Sequence, residues 1–148
     1  MSLIETWVRD ITSYGSLATI GFIFFGLLSL GKTGIAIQFF LTNFFCMVII
    51  YVIRFFYFRA RPSGAKKSYT SVADRLIDSS FPSVHGYRAA VIPMILSQLV
   101  PVYTSILLWV VGFGICFSRI YLKRHHVTDV VAGFIIGIIV SYLVMFIW

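Results

Sequence analysis

The sequence predicts an all-α bundle embedded in a membrane, and three observations carry that reading. Hydrophobic residues make up 59% of the 148-residue chain and charged residues only 11%, where an ordinary soluble domain is about 25% charged. The apolar residues gather in five segments, over residues 15–31, 34–56, 86–100, 102–118 and 127–148, and about 20 apolar helical residues cross the roughly 30 Å of a bilayer's hydrocarbon. None of the segments alternates polar with apolar as the strands of a closed barrel do, which leaves helices to satisfy the backbone in lipid. The expectation is one domain over residues 1–148, with about five transmembrane helices.

Residues 1–14 precede the first span. Leu3, Ile4, Trp7, Val8 and Ile11 fall on one helical face, with Glu5, Arg9 and Asp10 off it, the pattern of an amphipathic helix lying in the interface. Those charges, and the lack of a small-residue cleavage pattern, argue against a signal peptide. The second and fifth segments are long enough to span. The third and fourth are short and interrupted by Pro93 and Pro101, which predicts a tight helical hairpin.

Between the second and third segments, residues 62–80 (PSGAKKSYTSVADRLIDSS) form the one long polar loop, long enough to cover a site. Ser71 followed by Asp74 predicts a capped short helix containing Leu76 and Ile77. In the last segment Gly133, Gly137 and Ser141 make a stripe of small residues. It is read as close helix packing within the bundle rather than dimerisation, and the oligomeric state stays open. Cys46 and Cys116 lie in apolar runs and read as small core residues.

The net charge is +7. In a soluble protein this would point to nucleic acid, but these cations sit between hydrophobic segments and point to anionic lipid or phosphate. Counting crossings, eleven of the twelve Lys and Arg fall on one side, Arg9 among them if the amphipathic helix lies on that face, and Lys32 alone on the other. The positive-inside tendency places the richer side in the cytoplasm.

The same count brings three polar clusters to that side: Arg54 to Arg61, Ser83 to His85, and Ser118 to Asp129. Arg54 and Arg61 are two helical turns apart and share a face if the helix continues, although Pro62 disfavours helix at Arg61. Ser83 is a plausible N-cap for the third segment, where free backbone N–H groups favour an anion. His125 and Asp129 stand four apart, so that the carboxylate can accept from one imidazole nitrogen and leave the other free. Taken singly, each cluster reads as headgroup anchoring or a structural histidine. Together they read as chemistry on phosphate: arginine forks match its oxygens, one imidazole can attack phosphorus, and another can protonate the leaving oxygen.

These residues resemble the signature of the type 2 phosphatidic acid phosphatase superfamily. Its first motif is Lys, six residues, Arg-Pro, and here Arg54 is followed after six residues by Arg61 and Pro62. The second is Pro-Ser-Gly-His, here Pro82, Ser83, Val84 and His85. The third is Ser-Arg, five residues, His, three residues, Asp, matched in full by Ser118, Arg119, His125 and Asp129. The resemblance implies His125 as the nucleophile forming a phosphohistidine, Asp129 as its orienting partner, and His85 as the general acid. It implies a phosphate cradle of Arg54, Arg61, Ser83, Val84 and Arg119, with no metal or other cofactor. Arg54 departs from the motif lysine and Val84 from its glycine. A position needing φ > 0 would not accept valine.

The reading is a membrane lipid phosphatase of the cell membrane, acting on a phosphomonoester or diphosphate headgroup such as phosphatidic acid, phosphatidylglycerol phosphate or a polyprenyl diphosphate. A lipid phosphotransferase of the same superfamily and a non-catalytic lipid-binding membrane protein are the alternatives. A soluble haloperoxidase does not fit so apolar a chain. Lys123, Arg124 and His126 have no motif counterpart and read as interfacial neighbours.

Overall fold

The computed structural model describes residues 14–64 and 71–148. The interfacial helix expected over residues 1–14 lies outside the described residues except for Tyr14, as does the middle of the 62–80 loop. The described residues form six helices and no strand: α1 (Leu17–Ser29), α2 (Thr33–Phe56), α3 (Val72–Asp78), α4 (Val84–Leu96), α5 (Val102–Tyr121) and α6 (Val127–Ile147). Each of the five apolar segments is helical, and α3 is the short helix expected after Ser71.

Among the described residues α2, α5 and α6 are long and apolar enough to cross a membrane. The fourth segment is therefore longer than its proline punctuation implied. Pro101 caps α5 instead of interrupting it, and the helix runs to Tyr121. Helices α1 and α4 have 13 residues each, about 20 Å at 1.5 Å per residue. Large apolar side chains such as Phe22, Phe44, Phe113 and Phe146 point outward around the bundle. Such a surface needs hydrocarbon as its solvent, and the chain is an integral membrane protein.

Local sequence sets the turns. Ser16 caps α1, its hydroxyl accepting from the Thr19 N–H. At the other end Gly31, with φ +69°, lets Gly31 and Lys32 N–H reach the Leu28 and Leu27 carbonyls. This Schellman closure turns the chain into α2 within a few residues.

Helix α4 is the centre of the bundle, packed on α2, α5 and α6. Glycines make that approach possible. A Cβ on Gly133 would lie 2.2 Å from the Ser83 carbonyl oxygen, and one on Gly137 2.5 Å from that of Tyr87. On the other flank, a Cβ on Gly112 would lie 2.4 Å from the Ala89 oxygen. The small-residue stripe of α6 thus packs inside the bundle, against α4. This contact fixes the start of α4 beside the start of α6, where the polar clusters lie.

Candidate active site

Four helix ends meet at one side of the bundle: the C-termini of α2 and α5 and the N-termini of α4 and α6. The first pair carry Arg54 and Arg119 in their last turns, where cations suit the helix dipole. The second pair present Ser83 and His126 as N-caps. The three clusters converge as the crossing count predicts, and hydrogen bonds join them. Ser83 N–H donates to the Asp129 carbonyl at 2.9 Å, and Arg54 Nη2 donates to the Pro82 carbonyl at 2.8 Å.

The first cluster is arranged differently from its helical reading. Helix α2 ends at Phe56, and Tyr57 is extended, so Arg54 and Arg61 share no helical face. The chain beyond Tyr57 pairs instead with the strip before α4: Ser80 N–H donates to the Arg59 carbonyl at 2.8 Å. Arg61 then curls back onto the Asp78 and Ile77 carbonyls, at 3.3 and 3.2 Å. Arg54 is buried, with Nη1 on the Leu76 carbonyl at 2.9 Å. The loop between α2 and α4 therefore supplies carbonyl oxygens that hold both motif arginines. Two guanidinium N–H groups keep no partner among the described residues: Nε of Arg54 and Nε of Arg119, both buried. Unsatisfied buried donors of this kind are costly, and an anion would satisfy them.

In the second cluster Ser83 caps α4, its hydroxyl accepting from the Gly86 N–H at 3.2 Å. Val84 is the first residue of α4, and Lys123 alone among the described non-glycine residues has positive φ. The position filled by the motif glycine thus needs no left-handed backbone, and valine fits it with its side chain packed on the core. His85 follows. Its ring makes no hydrogen bond among the described residues and rests against Gly15, where a Cβ would come within 2.9 Å of Cδ2. Arg88, one turn on and buried, pins that glycine by donating from Nη1 to its carbonyl at 3.0 Å.

The third cluster holds the largest surprise. His125 is 4% exposed and Asp129 fully buried, but the expected hydrogen bond between them is not made: Nδ1 and Oδ2 are 3.9 Å apart. His125 precedes the helix, with His126 as its cap, so the four-residue spacing does not stack the two side chains as it would within a helix. His125 Nδ1 instead lies 2.8 Å from the Ser80 carbonyl. A carbonyl only accepts, so Nδ1 carries the proton and Nε2 the lone pair. Asp129 accepts from Arg59 Nη1 at 2.7 Å, from the His126 N–H at 2.8 Å and from the Ser80 hydroxyl.

Burial lowers the His125 imidazole to about 4, helped by the nearby Arg119 charge and opposed by the bond to Ser80. The ring is therefore neutral at ordinary pH. The Arg119 charge acts on both imidazoles. Among the described residues no three His, Cys, Asp or Glu side chains group as metal ligands would.

Arg59, Ser80 and Gly15 belong to this arrangement without having been singled out from the sequence. Arg59 lies within the Arg54 to Arg61 cluster but outside its motif positions, and nothing local to Ser80 or Gly15 marks either.

Comparison with known proteins agrees with the fold and with the family resemblance. The structure resembles the crystal structure of LpxE from Aquifex aeolicus, with a TM-score of 0.82 and 22% identity over 98% of this chain and 87% of that one. It also resembles a transmembrane PAP2-type phosphatidylglycerolphosphate phosphatase from Bacillus subtilis, with a TM-score of 0.76 and 25% identity over 99% of this chain and 77% of that one. Residues 34–148, which contain every motif residue, match the family model of the PAP2 superfamily, and the chain belongs to that superfamily of type 2 phosphatidic acid phosphatase-like proteins.

Proposed function

We propose that the protein is a lipid phosphate phosphatase of the cell membrane that works through a phosphohistidine on His125. One observation carries the reading. A neutral buried imidazole with its Nε2 lone pair free stands with Arg119, whose buried Nε lacks a partner as that of Arg54 does. A nucleophile and unsatisfied cations together describe a site awaiting a phosphoryl group.

In the reaction, Nε2 of His125 attacks phosphorus and the P–O bond to the lipid breaks. His85 gives its proton to the departing oxygen. A water molecule then attacks the phosphohistidine, His85 takes a proton from it, the N–P bond breaks and inorganic phosphate leaves. Arg54, Arg61 and Arg119 neutralise the phosphoryl oxygens, with the α4 N-terminus at Ser83 and Val84 beside them. Charge neutralisation by guanidinium groups is why the reaction is proposed to run without metal. The site's described carboxylate, Asp129, is already engaged by Arg59 and Ser80.

The lipid nature of the substrate is supported by a groove of about 820 Å³ between α1, α4 and α5, lined by Ala18, Phe22, Ile92, Leu108 and Ile115 among others. One of its lining residues, Ile115, lies close to Gly15, where a Cβ would come within 3.3 Å of Ile115 and 2.9 Å of the His85 ring. An acyl or prenyl chain lying there would run beside the neighbourhood of His85, with its headgroup toward the polar end of the bundle. The similar Bacillus subtilis protein is a phosphatidylglycerolphosphate phosphatase, which makes that headgroup a first candidate beside phosphatidic acid and a polyprenyl diphosphate.

The test is phosphate release from each of these lipids by the purified protein in mixed micelles with a chelator present, alongside His125→Ala. Release by the wild type and its loss in the variant are expected. Release that persists unchanged in the variant would overturn the nucleophile, and label passing to a lipid acceptor would make the protein a phosphotransferase.

A further inference from the structure

The imidazole read above as the nucleophile is aimed by a residue outside all three motif patterns. Its Nδ1 is bound by the carbonyl of Ser80, while Asp129 stays at 3.9 Å, beyond hydrogen-bond reach. Ser80 is fully buried and held at both of its other polar groups. Its hydroxyl donates to Asp129 Oδ2, and its N–H donates to the Arg59 carbonyl at 2.8 Å. Arg59 closes the loop by donating from Nη1 to Asp129 Oδ1 at 2.7 Å. The four residues form one connected circuit in which Asp129 reaches His125 through Ser80.

We propose that Ser80 is the positioning residue of the nucleophile, transmitting the hold of Asp129 to His125 through its own carbonyl, with Arg59 clamping both. The physical logic is that a backbone carbonyl imposes the tautomer absolutely, because it cannot donate. It has no means of staying in place by itself, however. The carboxylate fixes the carbonyl's position through the hydroxyl, and the guanidinium neutralises a carboxylate that would otherwise be buried as an unpaired charge. For Asp129 to bond Nδ1 directly, Oδ2 would have to leave either the Ser80 hydroxyl or the His126 N–H.

The inference rests on the reading of His125 as nucleophile, and its test separates the two. The chain has three histidines, so ¹⁵N-histidine spectra of the full protein in micelles can be assigned from His85→Gln and His125→Gln. The wild type is expected to show His125 protonated on Nδ1. Ser80→Ala should mix the tautomers and lower kcat for phosphatidic acid roughly 10- to 100-fold, as misplacement on the order of 1 Å does, with KM within about twofold. Ser80→Thr, which keeps the hydroxyl, should recover to within about threefold of the wild type. Because Ser80 and Asp129 act in series, adding Ser80→Ala to Asp129→Asn should cost less than about threefold more.

Fully additive losses in that double variant, a single unchanged tautomer with unchanged kcat in Ser80→Ala, or a wild-type ring protonated on Nε2 would each overturn the proposal. The last reading needs no variant, so it decides even if Ser80→Ala fails to fold. A wild type inactive on every lipid phosphate would sink the hydrolase reading and leave the spectra to judge Ser80.

Discussion

The two imidazoles of the site are held by opposite means. His125 is buried in a polar circuit: the Ser80 carbonyl accepts a hydrogen bond from its Nδ1, Asp129 holds Ser80, and Arg59 holds both. His85 makes no hydrogen bond among the described residues and is located by packing, its ring against Gly15, whose carbonyl Arg88 grips. The difference follows the two proposed tasks. A nucleophile needs one tautomer and one direction of attack, which a directional hydrogen bond enforces. A group that first gives a proton to a leaving oxygen and then takes one from water needs its nitrogens unencumbered, and steric confinement places a ring without occupying them.

The largest way to break this comparison is at the polar cradle's occupant. His125→Ala should abolish lipid phosphate hydrolysis, by roughly 10⁴-fold or more, since nucleophile and base act as a unit. Steady-state phosphate release measures it. His85→Ala should cost about 10²–10⁴-fold for a phosphomonoester. Its loss should shrink when the leaving group needs no proton, as with an aryl phosphate. An equal loss on both substrates would make His85 a binding group instead of an acid.

Acid should act on the polar cradle next. Burial and Arg119 hold the His125 imidazole at about 4, so the reactive neutral form persists down to that pH and is lost below it. The acid limb of kcat/KM that belongs to His125 should therefore fall by about tenfold per pH unit below about 4. A limb centred near 6.5, the value of an exposed imidazole, would mean the nucleophile is solvated.

Gly15→Ala tests the packed cradle. A Cβ there meets the His85 ring at 2.9 Å and Ile115 Cγ2 at 3.3 Å. Kcat should drop by about three- to tenfold through displacement of the ring, while the His125 tautomer stays as in the wild type. Loss of that tautomer would show that the two cradles are one. The smallest effect is expected at Val84→Gly. The backbone there is helical, so glycine is not needed for conformation, and the variant should keep activity within about twofold while losing about 1 kcal/mol of stability as helical glycine does. A large loss of activity with unchanged stability would assign the valine side chain a part in the site.

Legibility in the sequence divided along the same line. The convergence of Arg54, Arg61, His85, Arg119 and His125 at one end of the bundle was readable, because the order of apolar segments sets which ends meet. The end of α2 at Phe56 was readable too, since the second apolar segment stops there, but the pairing of Arg59 with Ser79 and Ser80 was not, being a contact between distant segments. Spacing alone also misplaced the partner of Asp129. A four-residue interval implies stacking only inside a helix, and His125 lies just outside one.

By itself, then, the sequence determined an all-α membrane bundle, the family, and the end of the bundle where the polar residues gather. Each of these depends on local quantities, namely the length of apolar runs, their order, and the spacing of short motifs. Only the tertiary structure decided what holds each imidazole. Ser80 reaches His125 across 45 residues, and Arg59 reaches Asp129 across 70. Which atom lies at 2.8 Å and which at 3.9 Å from a ring nitrogen depends on the packing of whole helices, down to the glycines that let α6 close on α4.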